Sequence, residues 1–277
     1  MKHKEGYLKG LKDLNIYYQY WLPDNKTKAV LLVAHGLAEH SGRYRNLVDY
    51  FVPKDYAIWA LDFRGHGKSE GMRSYIERFD EYLTDLKSLF DTVRKENGDK
   101  KIFLVGHSMG STVAVPYVIE HQKDLAGLIV SGSSLTRSST VSPVLIALAG
   151  VISAILPKMG VTILDASTIS KDQAVVDAYV NDPLVFRGKI PARTGAEMVR
   201  MWRELPEQMP RIELPILIMH GSSDRLSDPV GSRLLYEKVS SKDKTIKMYD
   251  GLYHEIFNEP EHEMVFADME IWLDKHI

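Results

Sequence analysis

Apolar and polar positions along the chain follow two alternating rhythms. Short runs rich in β-branched and aromatic residues recur: "NIYYQYW" from Asn15, "AVLLVAH" from Ala29, "YAIWALD" from Tyr56, "KIFLVG" from Lys101, "LAGLIVSG" from Leu125, "PILIMHG" from Pro215 and "KTIKMYDG" from Lys244. Several are apolar on both faces, as strands sandwiched between helices are. Between them lie segments whose apolar residues recur at three and four: Tyr44 to about Val52, Phe79 to about Asn97, Ser111 to about Gln122, Val230 to about Val239 and Glu261 to about Lys275. In the second of these, Tyr82, Leu83, Leu86, Leu89, Phe90 and Val93 form one stripe on an otherwise charged surface. Strands alternating with helices predict an α/β fold with a mostly parallel central sheet covered by helices.

The rhythm breaks from Ser133 to Glu213, and a gap of about eighty residues inside a compact domain carries structure of its own or covers a site. The expectation is an inserted helical cap over 133–213, with 1–132 and 214–277 forming one core domain. Within the insertion, "VLIALAGVISAIL" (Val144 to Leu156) is nearly all apolar, but a membrane span needs about twenty residues, and Pro143 and Pro157 bracket this run. At helical spacing Leu145, Leu148, Ile152, Ile155 and Leu156 make a large-residue stripe, with Ala147, Gly150, Ser153 and Ala154 on the small side. Leu145, Leu148 and Ile152 are therefore expected to pack inward over a substrate pocket. The alternative is that part of this surface faces out and makes transient contact with micelles or membranes.

Composition narrows the function classes. The 277 residues are 44% hydrophobic and 26% charged, ordinary values for a globular chain long enough for a large core. Lys and Arg number 35 against 37 Asp and Glu, so the basic excess of a nucleic-acid binder is missing. The absence of cysteine removes disulfides, thiolate metal sites and a cysteine nucleophile together. The first residues, "MKHKEGYLKGLKDLN", lack the apolar stretch of a signal peptide, so a cytoplasmic protein, peripheral at the membrane at most, is expected.

The chemistry starts at "FLVGHSMGST". Gly106, His107, Ser108, Met109 and Gly110 fit Gly-x-Ser-x-Gly, the tight strand-to-helix turn that lifts a serine hydroxyl above the carboxyl edge of a sheet. A serine needs a base to take its proton and a carboxylate to orient that base, in the chain order serine, acid, histidine. Asp224 follows the strand "PILIM", and His254 follows "KTIKMY". Asp228 is the rival acid, but it precedes Pro229 and reads as a helix cap. His35, His66, His107 and His220 also follow strands and read as structural hydrogen-bonders. An acyl intermediate also needs two donors for its oxyanion, and the backbone N–H groups of Met109 and Leu37 are the candidates. Two near-matches fail: Asp62 stands where a P-loop ending in "GHGKS" needs glycine, and Asn258 stands where a zinc motif beginning "HE" needs histidine. No metal and no cofactor are expected.

With these residues in place, the chain from about Tyr17 onward resembles the α/β-hydrolase superfamily. "HGLAEHSGRY", "DFRGHGKSEG", "GHSMGS" and "NDPL" at Asn181 to Leu184 are similar to marks of its monoacylglycerol lipase branch. The resemblance implies hydrolysis of the fatty acyl ester of monoacylglycerols, a small-molecule lipid substrate, with Glu39 and Arg43 shaping the loop near the glycerol and Tyr179 near the leaving alcohol. For Glu39 and Arg43 a salt bridge that only fixes the loop is an equal reading. Two positions depart from the pattern: Ala38, where glycine is common, and Phe257, where some members carry a second histidine. Fold and triad do not choose the alcohol, so a lysophospholipase or broad carboxylesterase is the alternative. A non-catalytic receptor on the same fold would be expected to lack part of the triad.

Overall fold

Strands that are apolar at every position need cover on both faces, and the computed structural model, which describes residues 1–137 and 142–277, supplies it. The strands are β1 (Lys2–Lys9), β2 (Asn15–Leu22), β3 (Ala29–Ala34), β4 (Tyr56–Leu61), β5 (Lys101–His107), β6 (Gly127–Ser131), β7 (Gly160–Thr162), β8 (Ile190–Pro191), β9 (Ile216–Gly221) and β10 (Lys244–Tyr249). The helices are α1 (Arg45–Phe51), α2 (Asp80–Asn97), α3 (Met109–His121), α4 (Pro143–Ile155), α5 (Gln173–Asn181), α6 (Ala192–Gln208), α7 (Val230–Lys238) and α8 (His262–Asp274). Eight strands form one sheet in the order β1-β2-β4-β3-β5-β6-β9-β10. From β4 to β10 every pairing is parallel; β2 joins β4, and β1 joins β2, in antiparallel register.

The pleat of β3 divides the core. Val30, Leu32 and Ala34 face a cluster with Leu86, Leu89 and Phe90 of α2 and Val113 and Val118 of α3. Leu31 and Val33 face a second cluster with Phe51 of α1 and Phe266, Met269 and Leu273 of α8. The stripe expected on α2 is buried, apart from the half-buried Leu83. β1 has no counterpart among the apolar runs of the sequence. It is an edge strand, exposed over its first four residues and carrying Lys2, Lys4 and Lys9, so burial imposes no apolar period on it.

Between β6 and β9 lie α4, the β7–β8 ribbon, α5 and α6. This segment is joined to the core at depth: Met198, Met201 and Leu205 of α6 belong to the same apolar cluster as α3. A smaller cluster of Ile169, Val176, Tyr179 and Val185 packs against Leu226, in the loop after β9. No helix among the described residues is long and apolar enough to cross a membrane.

Candidate active site

The turn after β5 shows why two glycines flank the serine. A Cβ on Gly106 would lie 2.7 Å from the Gly110 carbonyl oxygen, and one on Gly110 would run into the carbonyl of Ala34 in β3. Ser108 itself has φ 53° and ψ −121°, a left-handed conformation that costs a non-glycine residue of order 1–3 kcal/mol. The packing of β5 and α3 against β3 enforces it. Ser108 is nearly buried and lines a cavity of about 290 Å³ at the carboxyl edge of the sheet.

His254, in the loop after β10, lines the same cavity. Its Nδ1 lies 2.7 Å from Asp224 Oδ2. Asp224 Oδ1 accepts from the backbone N–H groups of Leu226 (2.8 Å) and Ser227 (2.9 Å), which fix the carboxylate. The rival Asp228 accepts from the Val230 N–H at 3.0 Å, so it caps the start of α7. Burial alone would raise the Asp224 pKa, but the facing His254 and His220 rings hold it well below the usual carboxylate range. Burial would likewise depress His254; the charge and hydrogen bond of Asp224 outweigh it, and the imidazole stands above its ordinary pKa. His107, whose ring is tilted with its centroid 4.8 Å from that of His254, is pushed down by burial and by that neighbour. Among the described residues Ser108 Oγ makes no hydrogen bond to His254; the two are brought to one cavity, and such bonds commonly tighten only once substrate is bound.

The loop after β3 passes directly over Ser108: a Cβ on Gly36 would stand 3.1 Å from Ser108 Cβ. Leu37 and Met109 both line the cavity. Met109 opens α3 and so has no intrahelical acceptor for its N–H. Ala38 takes φ 69°, in the left-handed region that favours glycine.

Glu39, Arg43 and Tyr179 come together at the polar end. Glu39 Oε1 accepts from the Gly36 N–H at 2.6 Å and from the Tyr44 hydroxyl at 3.0 Å, which ties it to the loop over Ser108. Arg43 lies 3.5 Å from Glu39, bonds Glu255 at 2.5 Å, and stacks over the Tyr179 ring at 4.7 Å. Burial and the nearby Glu255 push the Glu39 carboxyl up to about 7. Glu255 is a site residue that the sequence reading missed; its only signal was its place next to His254. Phe257 lies in the core against Phe266 and not on the cavity wall.

The "NDPL" stretch fastens the inserted segment to this loop. His40 Nδ1 accepts from the Gly42 N–H, so its Nε2 is the donor facing Asp182 Oδ2 at 2.9 Å. Four residues on, the Phe186 N–H donates to the Ala38 carbonyl at 2.8 Å.

The α4 expectation needs correction. Ile146, Ala149 and Ile152 line the cavity, whereas Leu148 points outward and is 47% exposed. The side chain of Leu145 lies outside the described residues. Val144, Leu148, Val151 and Ile155 form the outward stripe, and Ser153, expected on the side away from the pocket stripe, is buried. A helix apolar all round shows that two faces exist without showing which turns in. The neighbour of α4 in space is α6, and packing between the two helices decides the rotation.

Comparisons with known proteins identify the family and the fold. The family model for serine aminopeptidase, S33, matches residues 25–261. A monoacylglycerol lipase of Mycolicibacterium smegmatis is 36% identical over 97% of this chain and 96% of its own. A mouse (Mus musculus) monoglyceride lipase is 34% identical over 95% of this chain and 88% of its own. The crystal structure of a Paleococcus ferrophilus monoacylglycerol lipase superposes with a TM-score of 0.85 at 31% identity, covering 95% of this chain and 99% of that one. Relatives above 30% identity along nearly the whole length decide the matter: the chain belongs to the monoacylglycerol lipase family of α/β-hydrolases.

Proposed function

We propose that the protein hydrolyses the fatty acyl ester of monoacylglycerols through an acyl-enzyme on Ser108. The observation that carries this reading is one largely apolar cavity lined by both a conformationally strained serine and a histidine held by a buried carboxylate. Ser108 Oγ attacks the ester carbonyl while its proton passes to His254 Nε2, and the Leu37 and Met109 N–H groups take the charge on the carbonyl oxygen. Collapse breaks the bond to glycerol, which leaves with the proton from His254. Water, deprotonated by the same imidazole, then releases the fatty acid. Ile146, Ile152, Val161, Met198 and Trp202 line the apolar part for the acyl chain, with Glu39, Tyr179 and Glu255 at the glycerol end. Residues 133–213 act as the cap over the site, with α6 as the helix it shares with the core.

The deciding experiment is a kcat/KM panel of monooleoylglycerol, dioleoylglycerol, lysophosphatidylcholine and a short soluble ester. Monooleoylglycerol is expected to lead, and a preference for lysophosphatidylcholine would transfer the assignment to a lysophospholipase. The pH profile has a sign. His254 accepts a proton only when neutral, so activity rises with pH through its pKa. Because Asp224 raises that pKa, the half-maximal point is expected above the ordinary histidine value of about 6.5. A limb centred well below that value would remove the Asp224 pairing from the account.

The outward stripe of α4 supports contact with a lipid surface, the phase from which an insoluble monoacylglycerol must be drawn. Val144, Val151 and Ile155 are 66%, 58% and 71% exposed, and Met159 and Ile163 extend the apolar surface. Replacing Leu148 and Val151 by serine is expected to reduce binding to phosphatidylcholine vesicles containing monooleoylglycerol by about tenfold. Activity on the soluble ester should stay near the parent level. Equal losses on both substrates would assign these side chains to packing.

A further inference from the structure

His220, the penultimate residue of β9, is fully buried, yet its ring is not used in the reaction steps above. Its Nε2 lies 2.9 Å from Asp224 Oδ2, the same oxygen that faces His254 Nδ1, and 3.3 Å from the Ser227 carbonyl. Both neighbours accept hydrogen bonds, so Nε2 carries a proton and donates it. On the far side, Nδ1 lies 2.7 Å from the hydroxyl of Ser232 in α7, which in turn lies 2.8 Å from the hydroxyl of Ser133. Both serines are buried. A line of polar contacts thus runs from the first residues of the inserted segment through α7 and His220 to the carboxylate. With the two backbone donors on Oδ1, Asp224 has four donors and neither oxygen is left free to turn.

We infer that His220 is a positioning residue for the hydrolytic reaction: its Nε2–H shares Asp224 Oδ2 with His254 and so limits how strongly the carboxylate pulls on the imidazole. The role rests on the assignment of Ser108, Asp224 and His254 as the reacting set. An Oδ2 with two donors spreads its charge between them, and removing one leaves the whole of it facing His254. The other groups around His254 are His107, the adjoining Glu255 and Glu39 across the cavity. A change at His220 leaves all three in place.

Two variants separate the halves of the ring. His220→Gln carries an amide N–H out to the Nε2 position and can still reach Asp224. His220→Asn is shorter and reaches only the Ser232 side. The kcat/KM of each is followed against pH on a soluble short ester, with a thermal melt to establish folding. The Asn variant is expected to move the acid limb upward by about half a pH unit or more and to lower kcat about tenfold. The Gln variant should return the limb to the parent position. An unshifted limb in a folded Asn variant, or equal shifts in both, would overturn the role. A parent enzyme without a limb in the histidine range would instead overturn the triad on which it rests. A measurement on the unaltered protein covers the case in which neither variant folds: the long-range proton–nitrogen NMR spectrum at pH 8 should show His220 protonated at Nε2, and a bare Nε2 would refute the contact.

Discussion

Replacing Ser108 by alanine is expected to lower turnover by about 10⁶-fold, the loss that follows removal of a serine nucleophile from an otherwise intact site. The effect should be purely chemical. Among the described residues Ser108 Oγ donates to no acceptor and receives no donor, so its removal breaks no internal hydrogen bond. The positive φ is imposed by Gly106 and Gly110 and by the packing around them, and alanine meets it no worse than serine. The variant should therefore melt within a degree or two of the parent and still bind lipid. A folded Ser108→Ala protein with more than residual activity would move the nucleophile elsewhere.

The second large effect is expected at Asp224. In Asp224→Asn the amide oxygen can still accept from Leu226 and Ser227, but the amide nitrogen then faces His254 Nδ1 and His220 Nε2 with hydrogens of its own. Donor meets donor. His254 must carry its proton on Nε2, the nitrogen that should receive the proton of Ser108, and turnover should fall by about 10⁴-fold. Asp228→Asn is the matching control. Its carboxylate caps the Val230 N–H, the amide oxygen can do the same, and activity should change less than twofold. Comparable losses at the two positions would mean that neither carboxylate orients the base.

The sequence was most informative where one physical demand fixed the residue type. A sheet covered on both faces requires runs such as "AVLLVA" and "YAIWAL", and these are β3 and β4. Gly106 and Gly110 could be read because no side chain fits where they sit. Asp224 could be separated from Asp228 because a proline follows the latter. Legibility failed where neighbours in space are distant in sequence. Arg43 bonds Glu255, 212 positions on, and no local pattern announces it. His220 looked like any histidine at a strand end, since its link to Asp224 depends on how the turn between them folds back. β1 is not legible because an exposed lysine-rich edge strand has no apolar face to reveal it, and the outward turn of Leu148 is not legible because α4 is apolar on every side.

The most direct measurement is the mapping of a long-chain alkyl fluorophosphonate adduct by mass spectrometry, with the labelling rate followed in the presence and absence of monooleoylglycerol. The account predicts one adduct per chain, on the peptide containing Ser108, formed more slowly as monooleoylglycerol is added. An adduct on another residue, or labelling of Ser108 that monooleoylglycerol leaves unchanged, would contradict it.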